Sequence, residues 1–132
     1  MATEIILDTN FLFVPSQFRL DIFEKLNYVL GQKVEPLILS PTLEELQKLA
    51  KSHSVKKSKQ ALLGLKLAEK CRIVKVERKN AESNDDVILR AAVEMKCAVA
   101  TNDRELRRKL RSAGISVVFL RQKSTLAVDG SV

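Results

Sequence analysis

Apolar positions along this chain fall into two patterns. Short unbroken runs alternate with longer stretches in which apolar residues recur every three or four positions, as buried strands alternating with amphipathic helices would. Strands are predicted at Ile5-Ile6-Leu7, Pro36 to Ser40, Ile73 to Val76, Cys97 to Thr101 and Ser116 to Leu120. Runs without polar alternation suit strands covered on both faces. Helical spacing covers Arg19 to Leu30, Pro41 to Ala50, Gln60 to Lys70, Asp85 to Met95 and Asp103 to Ala113. Gly31 and Gly114 stop the first and last of these, and Gly64 weakens the third. Ser40-Pro41 offers an N-cap followed by an N1 proline, and Asn102 stands where the last helix begins. Phe11 to Phe18 is apolar and aromatic around Pro15, Lys51 to Lys59 is a basic loop or weak helix start, and Arg78 to Asn84 is a polar loop. Strands alternating with helices predict an α/β class with a parallel, doubly wound sheet of about five strands. Residues 1–122 are read as one domain and 123–132 as a C-terminal tail, either disordered or laid along a sheet edge.

At 132 residues the chain can bury about two thirds of its unfolded surface in one core. Cys71 and Cys97 lack CxxC spacing and His53 is the single histidine, so a zinc site or disulfide framework is poorly supported and reduced, buried thiols are expected. His53 itself is read as a surface loop residue. No basic leader or apolar run of about 18 residues is present, which predicts a cytoplasmic protein away from membranes. The net charge of +7, from 23 basic and 16 acidic residues, favours a polyanionic partner, nucleic acid above all.

The first strand ends in Asp8-Thr9-Asn10, at the carboxyl edge where open α/β sheets bind ligands. Helical phase, at about 100° per residue, decides which later acids turn the same way. Glu45 lies at the margin of the apolar face made by Leu43, Leu46 and Leu49, with Glu44 nearly opposite. Asp85 shares the broad face of Ile88, Leu89 and Ala92, and Asp86 does not. Asp103 falls near the Leu106, Leu110, Ala113 stripe. Each acid taken singly suits a helix cap or first turn. Four on one edge repel unless protonated or bridged by a cation, and hard oxygen donors favour Mg²⁺ or Mn²⁺ over zinc.

Leu7-Asp8-Thr9-Asn10-Phe11-Leu12, Glu45-Leu46, Asp85 with Ile88 and Leu89, and Ala100-Thr101-Asn102-Asp103 resemble the motifs of PIN-domain ribonucleases, the PilT N-terminus or VapC-like group. The resemblance spans Ile5 to about Leu120. It implies a three-layer α/β/α fold with five parallel strands in the order 3-2-1-4-5, and endonucleolytic RNA cleavage at Mg²⁺ or Mn²⁺. Asp8, Glu45, Asp85 and Asp103 match the family's acidic positions as catalytic and metal-binding residues, with Asp86 as a further metal ligand. Thr9, Asn10, Thr101 and Asn102 would support them. The stretch from Phe13 to Lys25 and that from Arg104 to Leu110 look closer to the archaeal and eukaryotic small-subunit rRNA-processing proteins than to short VapC toxins. An rRNA precursor is the implied partner, a homodimer is left open, and an antitoxin enters only if the toxin reading holds.

Two basic clusters could carry RNA phosphates: Arg104, Arg107, Arg108, Lys109 and Arg111 on the last helix, and Lys56 and Lys57 with Lys51 and Lys59 after the Glu45 helix. Either could equally be a solvated face. Few aromatics argue against splayed-base stacking. A phosphatase of the haloacid-dehalogenase type would need an Asp where Asn10 stands, and a receiver domain an acidic pair after the first strand. The remaining alternatives are an RNA-binding assembly factor with little catalysis and a toxin ribonuclease.

Overall fold

The computed structural model describes residues 2–15 and 21–131. The expected start of the first helix at Arg19 and the end of the apolar stretch at Phe18 lie outside the described residues. Among the described residues one sheet is formed by β1 (Thr3–Leu7), β2 (Val34–Leu39), β3 (Arg72–Val74), β4 (Ala98–Ala100), β5 (Val117–Arg121) and β6 (Thr125–Asp129). Its order is β3-β2-β1-β4-β5-β6, which contains the expected 3-2-1-4-5 arrangement. The first five strands run parallel, and β6 pairs antiparallel with β5, Phe119 opposite Ala127. The segment read as a tail therefore lies along the sheet edge as a sixth strand. Its hairpin turn places Gln122 and Lys123 at positive φ, so the chain carries no Gly or Asn signal where a turn of this kind usually shows one.

Among the described residues five α-helices cover the sheet: α1 (Ile22–Leu30), α2 (Ser40–Ala50), α3 (Val55–Ala68), α4 (Asn84–Met95) and α5 (Arg104–Ser112). The central strands have two inward faces, because successive side chains point to opposite sides. Ile5 and Leu7 join Ile22, Leu26, Leu46 and Ala68 in one core, while Ile6 joins Ile88, Ala92, Leu106 and Leu110 in the other. The result is three layers, α/β/α. β3 is an edge strand, and Ile73 is 42% exposed there.

Several local details differ from the sequence reading. Ser40 does not cap α2; its hydroxyl accepts from Val76 N–H at 3.0 Å and donates to Val76 C=O at 3.1 Å, fastening the chain after β3 to the end of β2. α3 begins earlier than expected because Ser54 caps it by accepting from Lys57 N–H. α5 is capped by Asp103 rather than Asn102. Gly64 has a packing reason, since a Cβ there would stand 3.0 Å from a Leu46 methyl group and hold α3 off α2. Among the described residues no helix is long and apolar enough to cross a membrane.

Candidate active site

The parallel strands all end on one edge, and the acidic segments follow them there. Asp8 comes directly after β1, which lies between β2 and β4. Glu45 is in the helix that follows β2, Asp85 in the helix after β3, and Asp103 caps the helix after β4. The doubly wound connection brings them together although they are separated by up to 95 positions in sequence.

Asp8 is the deepest of them, with 6% of its surface exposed. Its Oδ1 accepts from the Thr9 amide at 2.8 Å and its Oδ2 from the Thr101 hydroxyl at 2.7 Å. Burial pushes its carboxyl from the ordinary 3.8 up to about 6; the Thr101 and Thr9 hydrogen bonds work against that rise, and the charges of Asp85 and Glu45 add to it. The half-buried Asp85 is also raised, first by desolvation and next by Asp103, with the Lys109 ammonium pulling the other way. Asp8 responds to Glu45 and Asp85, and Asp85 responds to Asp103 and Glu45, so the four acids share one electrostatic field.

The carboxylates differ in how far the fold already engages them. Glu45, half-buried where Glu44 is exposed, accepts from the Thr9 hydroxyl through Oε1. Asp103 accepts from Leu106 N–H through Oδ1 at 2.9 Å, as an N-cap. Asp86 accepts from the Ser83 amide through Oδ2 at 3.0 Å, while the Ser83 hydroxyl accepts from Asp86 N–H, and this capping box holds the Asp86 carboxyl below its ordinary range. Asp86 thus has a structural task at the start of α4. Asp85 alone among these acids has both oxygens without a hydrogen bond among the described residues.

Two uncharged side chains tie the elements together. Thr101 is fully buried; its hydroxyl donates to Asp8 and accepts from Asp103 N–H at 3.1 Å. Asn10 Oδ1 accepts from Asn102 N–H at 3.0 Å, and Asn102 Oδ1 accepts from Leu120 N–H at 2.8 Å. Together they link the ends of β1, β4 and β5.

Hard oxygen donors suit Mg²⁺ or Mn²⁺, and the field is negative. Among the described residues no three acidic, cysteine or histidine side chains converge tightly enough to form a closed metal cluster.

The basic residues divide. Arg107 Nε donates to Asp129 Oδ2 at 2.9 Å, Arg111 Nε lies 3.1 Å from Asp129 Oδ1, and the Arg107 guanidinium covers the Phe119 ring at 3.7 Å. Arg108 pairs with Glu105 on the exposed side of α5 at 3.6 Å. Arg104 is exposed and has no ion pair among the described residues. Lys56 and Lys57 are exposed on the first turn of α3. Sequence reasoning missed Glu82 and Arg90, which organise the loop before Asp85. Arg90 donates to both Glu82 carboxyl oxygens at 2.9 Å and to Glu77 C=O at 2.8 Å, and Lys79 N–H donates to Glu82 at 2.7 Å. The Arg90 hydrogen bonds, foremost, hold the Glu82 carboxyl down at about 2. No helical spacing joins the two residues, so the sequence carried no sign of the pair.

Comparison with known proteins agrees with this architecture. Residues 5–123 match the family described as PIN like domain. Ribonuclease VapC4 of Methanocaldococcus jannaschii is 36% identical over 98% of this chain and 98% of its own length. The rRNA-processing protein FCF1 of Saccharomyces cerevisiae is 30% identical over 82% of this chain but only 54% of its own length. A solved structure described as the PIN domain endonuclease Utp24 is similar with a TM-score of 0.80 at 28% identity, covering 98% of this chain and 95% of that one. The chain belongs to the PIN-like domain family.

Proposed function

We propose that this protein is an endoribonuclease dependent on Mg²⁺ or Mn²⁺, with Asp8, Glu45, Asp85 and Asp103 at its reaction centre. The observation that carries the reading is Asp8, buried at the end of the central strand, held by two hydrogen bonds and raised to about 6 in a field of other carboxylates. Such a field favours an external cation, whose binding would draw the raised carboxyls of Asp8 and Asp85 back down. Asp8 and Asp85, the latter with both oxygens free, would hold the ion directly, and Glu45 and Asp103 would act on it through its waters. When bound, it would supply an activated water and stabilise charge on the phosphoryl oxygens.

The chain's own residues do the rest. Thr101 keeps Asp8 oriented and favours its anion, and Thr9 orients Glu45. Glu82 and Arg90 fasten the loop that sets the start of α4, and with it Asp85. Arg104 and Lys109 offset the repulsion between an acidic centre and a polyanion. No nucleophilic side chain is required, because water attacks phosphorus.

An rRNA precursor is the substrate we assign, supported by the similarity to FCF1 and to the Utp24 endonuclease. The 36% identity to VapC4 favours a second reading, a toxin ribonuclease held by an antitoxin; growth arrest on expression of the wild type but not of Asp85→Asn would select it. The primary test incubates purified protein and Mn²⁺ with end-labelled structured and single-stranded RNA. Internal cuts that disappear in EDTA and in Asp85→Asn are expected. Cleavage that persists in EDTA, or products ending in 2′,3′-cyclic phosphate, would overturn the assignment.

A further inference from the structure

We infer that the cleft between the start of α5 and the β5–β6 hairpin is a subsite for one unpaired nucleotide of RNA beside the carboxylate centre. The choice of ligand rests on the ribonuclease reading; the cleft itself rests on geometry. Thr101, Arg104, Arg107, Phe119, Arg121 and Gln122 line a space of about 350 Å³. That is at the lower end of the range for small-ligand sites, which suits a single nucleotide and not a duplex.

The cleft adjoins the reaction centre: Thr101, at its inner wall, donates to Asp8 Oδ2, and Arg104 at its rim follows Asp103 in the chain. Its floor is a prepared stack. Phe119 supports the Arg107 guanidinium on one face, and Asp129 fixes its edge through Nε. The two Nη groups have no hydrogen-bond partner among the described residues. A guanidinium held in this way offers a plane on which a base can stack and donors already oriented, so little freedom is lost on binding.

Charge and backbone agree with that use. Arg104 and Arg121 are both exposed and without an ion pair among the described residues, so with Arg107 three positive charges surround one small cleft. Like charges gathered there do nothing for the fold and would receive a phosphate. The hairpin tip holds Gln122 at φ 54° and Lys123 at φ 66°, left-handed positions that glycine would adopt without steric cost. From that turn Gln122 lines the cleft. The base would lie on Arg107, and its phosphate between Arg104 and Arg121.

The test measures fluorescence anisotropy of a short, unstructured, fluorescein-labelled RNA with the full chain, in EDTA, across a salt series. Arg107→Lys keeps the charge but loses the plane, so affinity should fall about 5-fold or more with the salt slope unchanged. Arg121→Ala should reduce the magnitude of the slope by about 0.7. Phe119→Leu should follow Arg107→Lys, while Phe119→Tyr should bind as wild type. A duplex of the same sequence should lose far less affinity in Arg107→Lys. Wild-type binding by both Arg107→Lys and Arg121→Ala, or equal losses on single strand and duplex, would overturn the subsite. Arg121 is exposed, and Asp129 keeps Arg111 when Arg107 is changed, so these two variants decide the matter even if Phe119→Leu does not fold. Should the wild type bind as described but never cleave with Mn²⁺, the nuclease reading fails and the subsite stands; cleavage with unaltered binding in the variants gives the reverse.

Discussion

Replacing Asp8 by Asn should abolish metal-dependent cleavage and yet make the metal-free protein more stable at neutral pH. The sign follows from the direction of the shift. Between 3.8 and about 6 the folded protein holds a proton on Asp8 that the unfolded chain has released. The contribution of Asp8 to stability is therefore most favourable below 3.8 and declines as pH rises, until the full penalty is present above about 6. That interval corresponds to about 3 kcal/mol as an upper figure, since one pKa unit is about 1.4 kcal/mol. Asparagine resembles the protonated acid: it is neutral and turns a donor toward either the Thr9 N–H or the Thr101 hydroxyl, a loss already contained in the shift. The gain is therefore up to about 3 kcal/mol, or a rise in Tm of up to roughly 10 °C for a chain of this size. Thermal unfolding in EDTA at about pH 7.5 should show the rise, and at about pH 4 most of it should vanish. Added Mn²⁺ should then raise the Tm of the wild type and do little for the variant. A lower Tm for Asp8→Asn at neutral pH, or an equal increment at both pH values, would refute the electrostatic account of the site.

Three further outcomes test other parts of the structure. Thr101→Val is nearly isosteric but takes the donor from Asp8 Oδ2; the Asp8 carboxyl should rise further, and the acid limb of the pH–rate profile with Mn²⁺ should move to higher pH, a uniform loss at all pH values counting against it. Ser40→Ala removes the partner of both the Val76 amide and its carbonyl and should cost about 1–2 kcal/mol by urea denaturation, with little change in the slope of the transition. Glu82, whose carboxyl lies at about 2, contributes stability present above its ordinary 4.5 and lost as pH falls through about 2. Acid unfolding followed by circular dichroism should accordingly separate wild type from Glu82→Gln at neutral pH and bring the curves together near pH 2; coincident curves throughout would show that the Arg90 clamp adds nothing.

What the sequence made legible follows from two periodicities. An unbroken apolar run such as Ile5 to Leu7 can be buried on both sides only if layers cover both sheet faces, and the structure sends Ile5 and Leu7 to one core and Ile6 to the other. Helical phase turned Glu45 inward and left Glu44 to solvent for the same geometric reason. Periodicity is silent about which hydrogen bond a side chain makes once it has arrived. Ser40 stands where an N-cap would, yet its hydroxyl serves Val76, because the strand beside it brings an unpaired backbone segment within reach. Asp86 closes the capping box of Ser83 and Asp103 is an N-cap, so each has one carboxyl oxygen engaged by the fold, a distinction that a list of acids on one edge does not contain.

The sixth strand shows the same limit on a larger scale. Thr125 to Asp129 is short, its turn lacks glycine and asparagine, and the pairing is recovered only when Leu126 meets the core and Asp129 meets Arg107 and Arg111. Once that strand is in place, the basic face of α5 ceases to be one surface. Arg111 and the Nε of Arg107 are bound to Asp129, Arg108 is paired with Glu105, Lys109 acts on Asp85 and Asp86, and Arg104 remains open. A charge run read from sequence weighs these five residues alike. With the hairpin present, an incoming phosphate meets Arg104 and the free end of Arg107 first, beside Thr101 and therefore beside Asp8, so the last strand of the chain decides which part of the basic helix can serve the acidic centre.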